Sequence, residues 1–125
     1  MTMRFPLAFA AAALAALGAC GSPDIRFDAP PAADPEDRVA IRYGRVEVME
    51  VGLPIYAATE EIVLQDGAGA ITPTGALSAD EPARAVTLQL SRDLAALTGA
   101  LVAPEPWPFR DFADAQVDVR VSEFV

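Results

Sequence analysis

Read as a string of apolar and polar positions, the chain changes character at Cys20. From Phe5 to Ala19 it is apolar almost without interruption, behind a basic start at Arg4. That run is shorter than the roughly 20 residues a bilayer-spanning helix needs, and it ends in small residues. It follows the grammar of a secretory signal peptide, so residues 1–19 are set aside from the fold. Further on, the pattern becomes alternation. Val39, Ile41 and Tyr43 alternate with polar neighbours, slip phase at Gly44 and resume at Val46 and Val48, which predicts a strand carrying a glycine bulge. Ile25-Arg26-Phe27 is a shorter alternating segment that predicts an edge strand. Ile62-Val63-Leu64 continues the strand signal after an interruption at Pro54. Asp66-Gly67 then predicts a tight turn into Ala70-Ile71, with Asp66 as a turn residue rather than a ligand.

The period shifts to that of a helix between Glu81 and Leu97. Asp80 is the expected N-cap, Glu81 and Pro82 fall in the first turn, and Gly99 stands where the helix should end. Val86, Leu90, Leu94 and Leu97 share one face, expected to pack on a sheet, with a partner-binding helix as the weaker alternative, while Arg84, Ser91 and Arg92 are expected to stay wet. Pro104-Glu105-Pro106-Trp107-Pro108-Phe109 predicts an extended loop outside any ladder. Within it Trp107 is expected to plug the edge of the core, with a partner-facing anchor as the alternative. Gln116 to Ser122 alternates strictly, with Val117, Val119 and Val121 opposite Asp118, Arg120 and Ser122, and predicts a half-buried strand. Phe124-Val125 follow just after it and close the sequence. A neighbouring strand is therefore expected from another segment or another chain, or the domain is a shortened one. The fold class these elements predict is α+β, a mixed or antiparallel sheet with an amphipathic helix packed on one face.

Composition adds the anchor. Leu17-Gly18-Ala19-Cys20 has the form of a bacterial lipobox and contains the only cysteine. In that class the sulfur receives a diacylglycerol and the new amino terminus usually another acyl chain. More than one chain is needed for a stable anchor, since each buried CH₂ contributes about 0.8 kcal/mol. Cys20 is thus the expected lipidation site, and its acyl chains are the only non-protein groups expected. Gly21, rather than Asp, follows it. This favours the outer membrane facing the periplasm, and inner-membrane anchoring stays open. Residues 20–37 contain Pro23, Pro30, Pro31 and Pro35 and read as a semi-extended tether, with Ile25 to Phe27 as the strand within it. Residues 38–125 are left for the folded domain.

Charge and residue types narrow the chemistry. Beyond residue 19 the chain keeps eight of its nine arginines and all eighteen acids, a formal charge of −10. Nucleic acid and anionic head groups normally call for a basic patch, so neither is expected as a direct partner, and membrane contact falls to the anchor. The chain has no histidine and no lysine. The commonest general bases, Schiff-base amines and soft metal ligands are therefore missing. No Asp-x-Asp-x-Asp-Gly calcium loop is present, nor can a phosphate-binding loop be built without its lysine. No metal, cofactor or catalytic residue is expected. A carboxylate-based hydrolase drawing on Glu60, Glu61, Asp80 or Glu81 is the weakest reading, because such acids serve more simply as solvated face or helix cap.

The order of elements resembles the ABC-type transport auxiliary lipoproteins, the PqiC-like family associated with membrane integrity. Four portions carry the resemblance beyond the lipidated cysteine. Ile25-Arg26-Phe27 stands where the family has an early aromatic strand. Val51-Gly52-Leu53-Pro54-Ile55-Tyr56 with Ile62-Val63 is similar to a Val-x-x-Pro-x-Tyr-Leu-x-Arg-x-x-Ile-Val stretch. Gly75 to Asp80 leads into the amphipathic helix, and Val117 to Phe124 is similar to the family's Val-x-Val-x-x-Phe strand. Ala57-Ala58-Thr59 replaces the usual Leu-x-Arg and Ser78 the usual Trp, so contacts of that Arg and Trp are not carried over. The family domain normally continues into further strands and a second helix, so the resemblance implies an incomplete version of it. It also implies a non-catalytic subunit working beside an MCE-domain substrate-binding protein and an ABC permease and ATPase, which move phospholipid-like molecules. Leu53, Pro54, Tyr56 and Trp107 are the candidate partner- or lipid-facing residues, although a simple bend accounts for Pro54 as well. A homo-oligomer stays open. The rival function is a structural or assembly lipoprotein of the outer membrane without lipid contact, and a hydrophobic groove under the Pro54 loop would separate the two.

Overall fold

Alternation in Arg45-Val46-Glu47-Val48 places both valines inward, and they are buried while their neighbours are half-exposed. They form the centre of a small parallel sheet. The computed structural model describes residues 24–28 and 34–125. The signal peptide and the lipidation site expected at Cys20 lie outside the described residues. The elements in chain order are β1 (Arg26–Phe27), β2 (Arg45–Val48), a 3-10 turn (Ile55–Ala57), β3 (Glu61–Gln65), β4 (Ile71–Ser78), α1 (Pro82–Thr98), β5 (Leu101–Pro104) and β6 (Ala115–Val117).

The fold is α+β, and among the described residues the strands divide into two three-stranded sheets. In the first, of order β1-β4-β3, β3 and β4 form an antiparallel hairpin and β1 pairs parallel to β4 at the edge. In the second, β5 and β6 flank β2, both parallel to it. A parallel pair needs a long crossover, and the β3–β4 hairpin with α1 provides it between β2 and β5. The helix packs against β5 and β2. The core there is small and Val-rich, with Val46, Val48, Val51, Ala57 and Ala103 buried.

Several local expectations are corrected. Residues Val39, Ile41 and Tyr43 do not extend β2, and all three are exposed. Val39 instead donates its N–H to Leu97 O, across the last turn of α1. Gly44 makes no bulge, because its N–H is taken by the Asp114 carboxylate at 3.1 Å, and the ladder begins only at Arg45. The N-cap position of α1 is held by Glu81, not Asp80. Asp80 is occupied by Arg84, one helical turn on, and by the Glu81 N–H. Pro104 is not outside the ladder. It closes β5 opposite Val48, and the Glu105 N–H donates to Val48 O. A proline is tolerated there because β5 is an edge strand. The segment from Gln116 to Ser122 keeps its alternating burial, but regular pairing stops at Val117 and resumes as a single bridge between Gly52 and Arg120.

The largest correction concerns α1. Its buried positions are Pro82, Thr87 and Ser91, whereas Val86, Leu90, Leu94 and Leu97 are half-buried. Ser91, expected to be wet, is 3% exposed. The most buried part of the helix is at Thr87 and Ser91, one turn apart, where small side chains let the helix approach the core closely. The two hydroxyls satisfy themselves within the helix, Thr87 Oγ1 donating to Ala83 O and Ser91 Oγ to Thr87 O. Gly99, at φ 71°, ends the helix as expected, with its N–H bonded to Ala95 O.

Candidate functional site

The N-terminal half of α1, with half-buried Val86 and Leu90, borders an apolar groove of about 580 Å³. Along one wall run Pro82, Ala85, Val86, Gln89 and Leu90 of the helix. The other is β3, through Glu61, Ile62 and Val63, with Phe27 of β1 and Ala57 of the 3-10 turn. Phe124 and Val125 also line it, and acidic side chains, among them Glu60, Asp80 and Asp93, stand in its lining. The two walls come from the two ends of the β3–β4–α1 connection.

The acids around the groove have mostly structural partners. Glu60 bonds Arg26 at 2.8 Å across β1, and Asp80 bonds Arg84 at 2.8 Å. Asp93 accepts from Gln89 Nε2 at 3.1 Å. Of the carboxylates weighed for a hydrolase, Glu60 and Asp80 are thus engaged in ion pairs and Glu81 sits at the helix N-cap position. No cluster of three or more metal-ligating side chains occurs among the described residues. None of the described helices is long and apolar enough to cross a membrane.

Other acids bind the loops to the parallel sheet. Asp114 accepts from the backbone N–H groups of Gly44 and Arg45 and from Arg45 Nη2 at 2.8 Å. The hydrogen bond from the Arg45 guanidinium is the main reason its carboxyl lies below the ordinary range, and the same contact raises Arg45. Glu47 accepts from Trp107 N–H at 3.0 Å and from Gln116 Nε2 at 2.6 Å. Glu105 accepts the Glu50 N–H at 2.7 Å.

The four candidate contact residues do not form one patch around a single cavity. Pro54 precedes the 3-10 turn, whose Ala57 N–H bonds back to Pro54 O. Tyr56 Oη accepts the Phe124 N–H at 3.1 Å, which ties this turn to the segment lining the groove. Leu53, Pro54 and Tyr56 are half-buried, and Ile55 between them is 94% exposed. Trp107 belongs to another hollow, with Glu47, Phe112 and Asp114. There it is half-buried, edge-on to Phe109 at 5.0 Å, and its indole N–H bonds Asp111 O. Sequence reasoning missed the groove-lining Phe124 and Val125, as well as Phe112, which is 90% exposed.

The family model of the ABC-type transport auxiliary lipoprotein component matches residues 27–125, and the chain belongs to that family. The match spans every element from Phe27 onward, both sheets and the groove included. Comparison with curated proteins and with solved structures finds no match.

Proposed function

We propose that this chain is a non-catalytic, lipid-anchored subunit of a transport system in which an MCE-domain protein and an ABC permease and ATPase move phospholipid-like molecules across the periplasm. The family match over residues 27–125 is the observation that carries this reading. The chain contributes no ATP chemistry, since a phosphate loop needs the lysine it lacks. Its role is to hold and dock the outer-membrane end of the path. Cys20 supplies the anchor through its diacylglycerol and acyl chains. Because β1 begins at Arg26, only Gly21 to Ile25 separate that anchor from the sheet. At no more than about 3.6 Å per residue, the sheet would lie within roughly 20 Å of the leaflet surface. The exposed Ile55 beside Leu53, Pro54 and Tyr56, and the Trp107 hollow, are the partner-facing surfaces in this reading.

The test is a crosslinked, detergent-extracted pull-down of the acylated protein from its own membranes, with mass spectrometry of protein and lipid. Recovery of an MCE-domain protein together with ABC subunits is expected, and Cys20→Ser should abolish acylation and release the chain from the membrane fraction. Recovery of outer-membrane assembly or cell-wall components alone would overturn the transport reading in favour of a structural lipoprotein.

A further inference from the structure

The groove beside α1 is chemically lopsided. Its floor is apolar, through Phe27, Val63, Val86, Leu90 and Phe124, while its lining contains acidic side chains and no arginine. Two of these acids are already neutralised by Arg26 and Arg84. Glu61 on β3 and Asp93 on α1 make no ion pair among the described residues, and both are exposed. They stand on opposite walls. The result is a hydrophobic trough with uncompensated negative charge on either side, of a size typical of specific binding clefts.

We propose that this groove docks a segment of a partner protein that is apolar on one face and carries arginine or lysine beside it. The apolar face would cover Val86 and Leu90, and the basic side chains would meet Glu61 and Asp93. An anionic phospholipid would bring its phosphate against these carboxylates. A second copy of the chain, at a formal charge of −10 beyond residue 19, would bring like charge to the same place. Complementary charge at the rim also selects the partner and speeds encounter. The inference rests on the subunit reading, because it needs a protein partner, but not on which partner that is.

The experiment places a photoreactive benzoylphenylalanine at Leu90, and separately at Gln89, in the full-length chain in its own cells. Gln89 lines the same groove and guards against a folding defect at Leu90. After irradiation the joined peptide is sequenced. The expected product is one recurring protein segment of apolar residues with net positive charge. The double variant Glu61→Lys, Asp93→Lys should lower its yield at least fivefold while leaving the thermal midpoint unchanged. Crosslinks to lipid, to a second copy or to an uncharged or acidic segment would overturn the proposal, as would absence of crosslinks from both positions or a yield indifferent to the charge reversal. The transport reading fails separately. A basic segment from a protein outside any transporter would keep the groove inference and sink that reading. Lipid crosslinks alongside recovery of ABC subunits would do the reverse.

Discussion

The backbone N–H of Val51 donates to Thr87 Oγ1 at 2.9 Å, joining the exit of β2 to the middle of α1 inside the core. Both residues are buried, at 1% and 4% exposure. Thr87 donates its own hydroxyl hydrogen bond to Ala83 O, so each polar group in the contact is satisfied. Thr87→Val keeps the shape but leaves the Val51 donor without a partner. A buried unsatisfied group costs about 1–3 kcal/mol. Urea unfolding should show that loss, with Thr87→Ser losing less because its hydroxyl remains.

Asp114 links stability to pH. Its folded carboxyl lies below the ordinary value, chiefly through the Arg45 guanidinium and also through two backbone N–H groups. A depressed folded value means that its contribution is fully present above the unfolded pKa of about 3.9 and fades as pH falls through the folded one. Asp114→Asn removes this dependence. The gap in urea midpoint between wild type and variant should therefore be widest above about pH 5 and shrink towards about pH 2. A constant gap across that range would show that the pair does not titrate with folding.

Gly99 ends α1 at φ 71°, a backbone region that L side chains enter at a cost. An added Cβ would meet only Arg38 Nη1 at 3.6 Å, an ordinary contact. Gly99→Ala should thus lose roughly 1–2 kcal/mol from backbone strain alone. Gly67→Ala, in the β3–β4 turn, faces open space and needs no positive φ, so its thermal midpoint should barely move.

These contacts explain which parts of the fold were legible in the sequence. Gly99 and Asp66 announce themselves because the chemistry they serve is local. Gly99 closes a helix, and Asp66 Oδ1 accepts the N–H groups of Ala68 and Ala70 in its own turn. The edge strand at Arg26–Phe27 was legible in the same way, from alternation. The error at α1 came from equating the apolar stripe with the buried one. Close approach to a valine sheet suits Thr87 and Ser91 better than leucine, and Val86 and Leu90 line the groove instead. Val39, Ile41 and Tyr43 carry strand periodicity but find no ladder, because Asp114 takes the Gly44 N–H and the helix end takes that of Val39. Such competition between distant segments leaves no trace in a local pattern. The groove was invisible for that reason, since Phe27, Leu90 and Phe124 meet only after folding.

The strongest separation of stability from partner contact lies at the 3-10 turn. Ile55 is 94% exposed, and a residue so placed contributes little to folding. Ile55→Ser should change stability by no more than about 0.5 kcal/mol. Its neighbour Tyr56 has a structural task, accepting the Phe124 N–H, so Tyr56→Phe should loosen that segment and speed amide exchange at Phe124. If the turn faces a transporter subunit, Ile55→Ser will cut recovery of that subunit in the membrane pull-down while the thermal midpoint holds. Unchanged recovery with Ile55→Ser, alongside loss of both recovery and fold with Tyr56→Ala, would make the Pro54 segment a bend between strands and move the partner surface elsewhere.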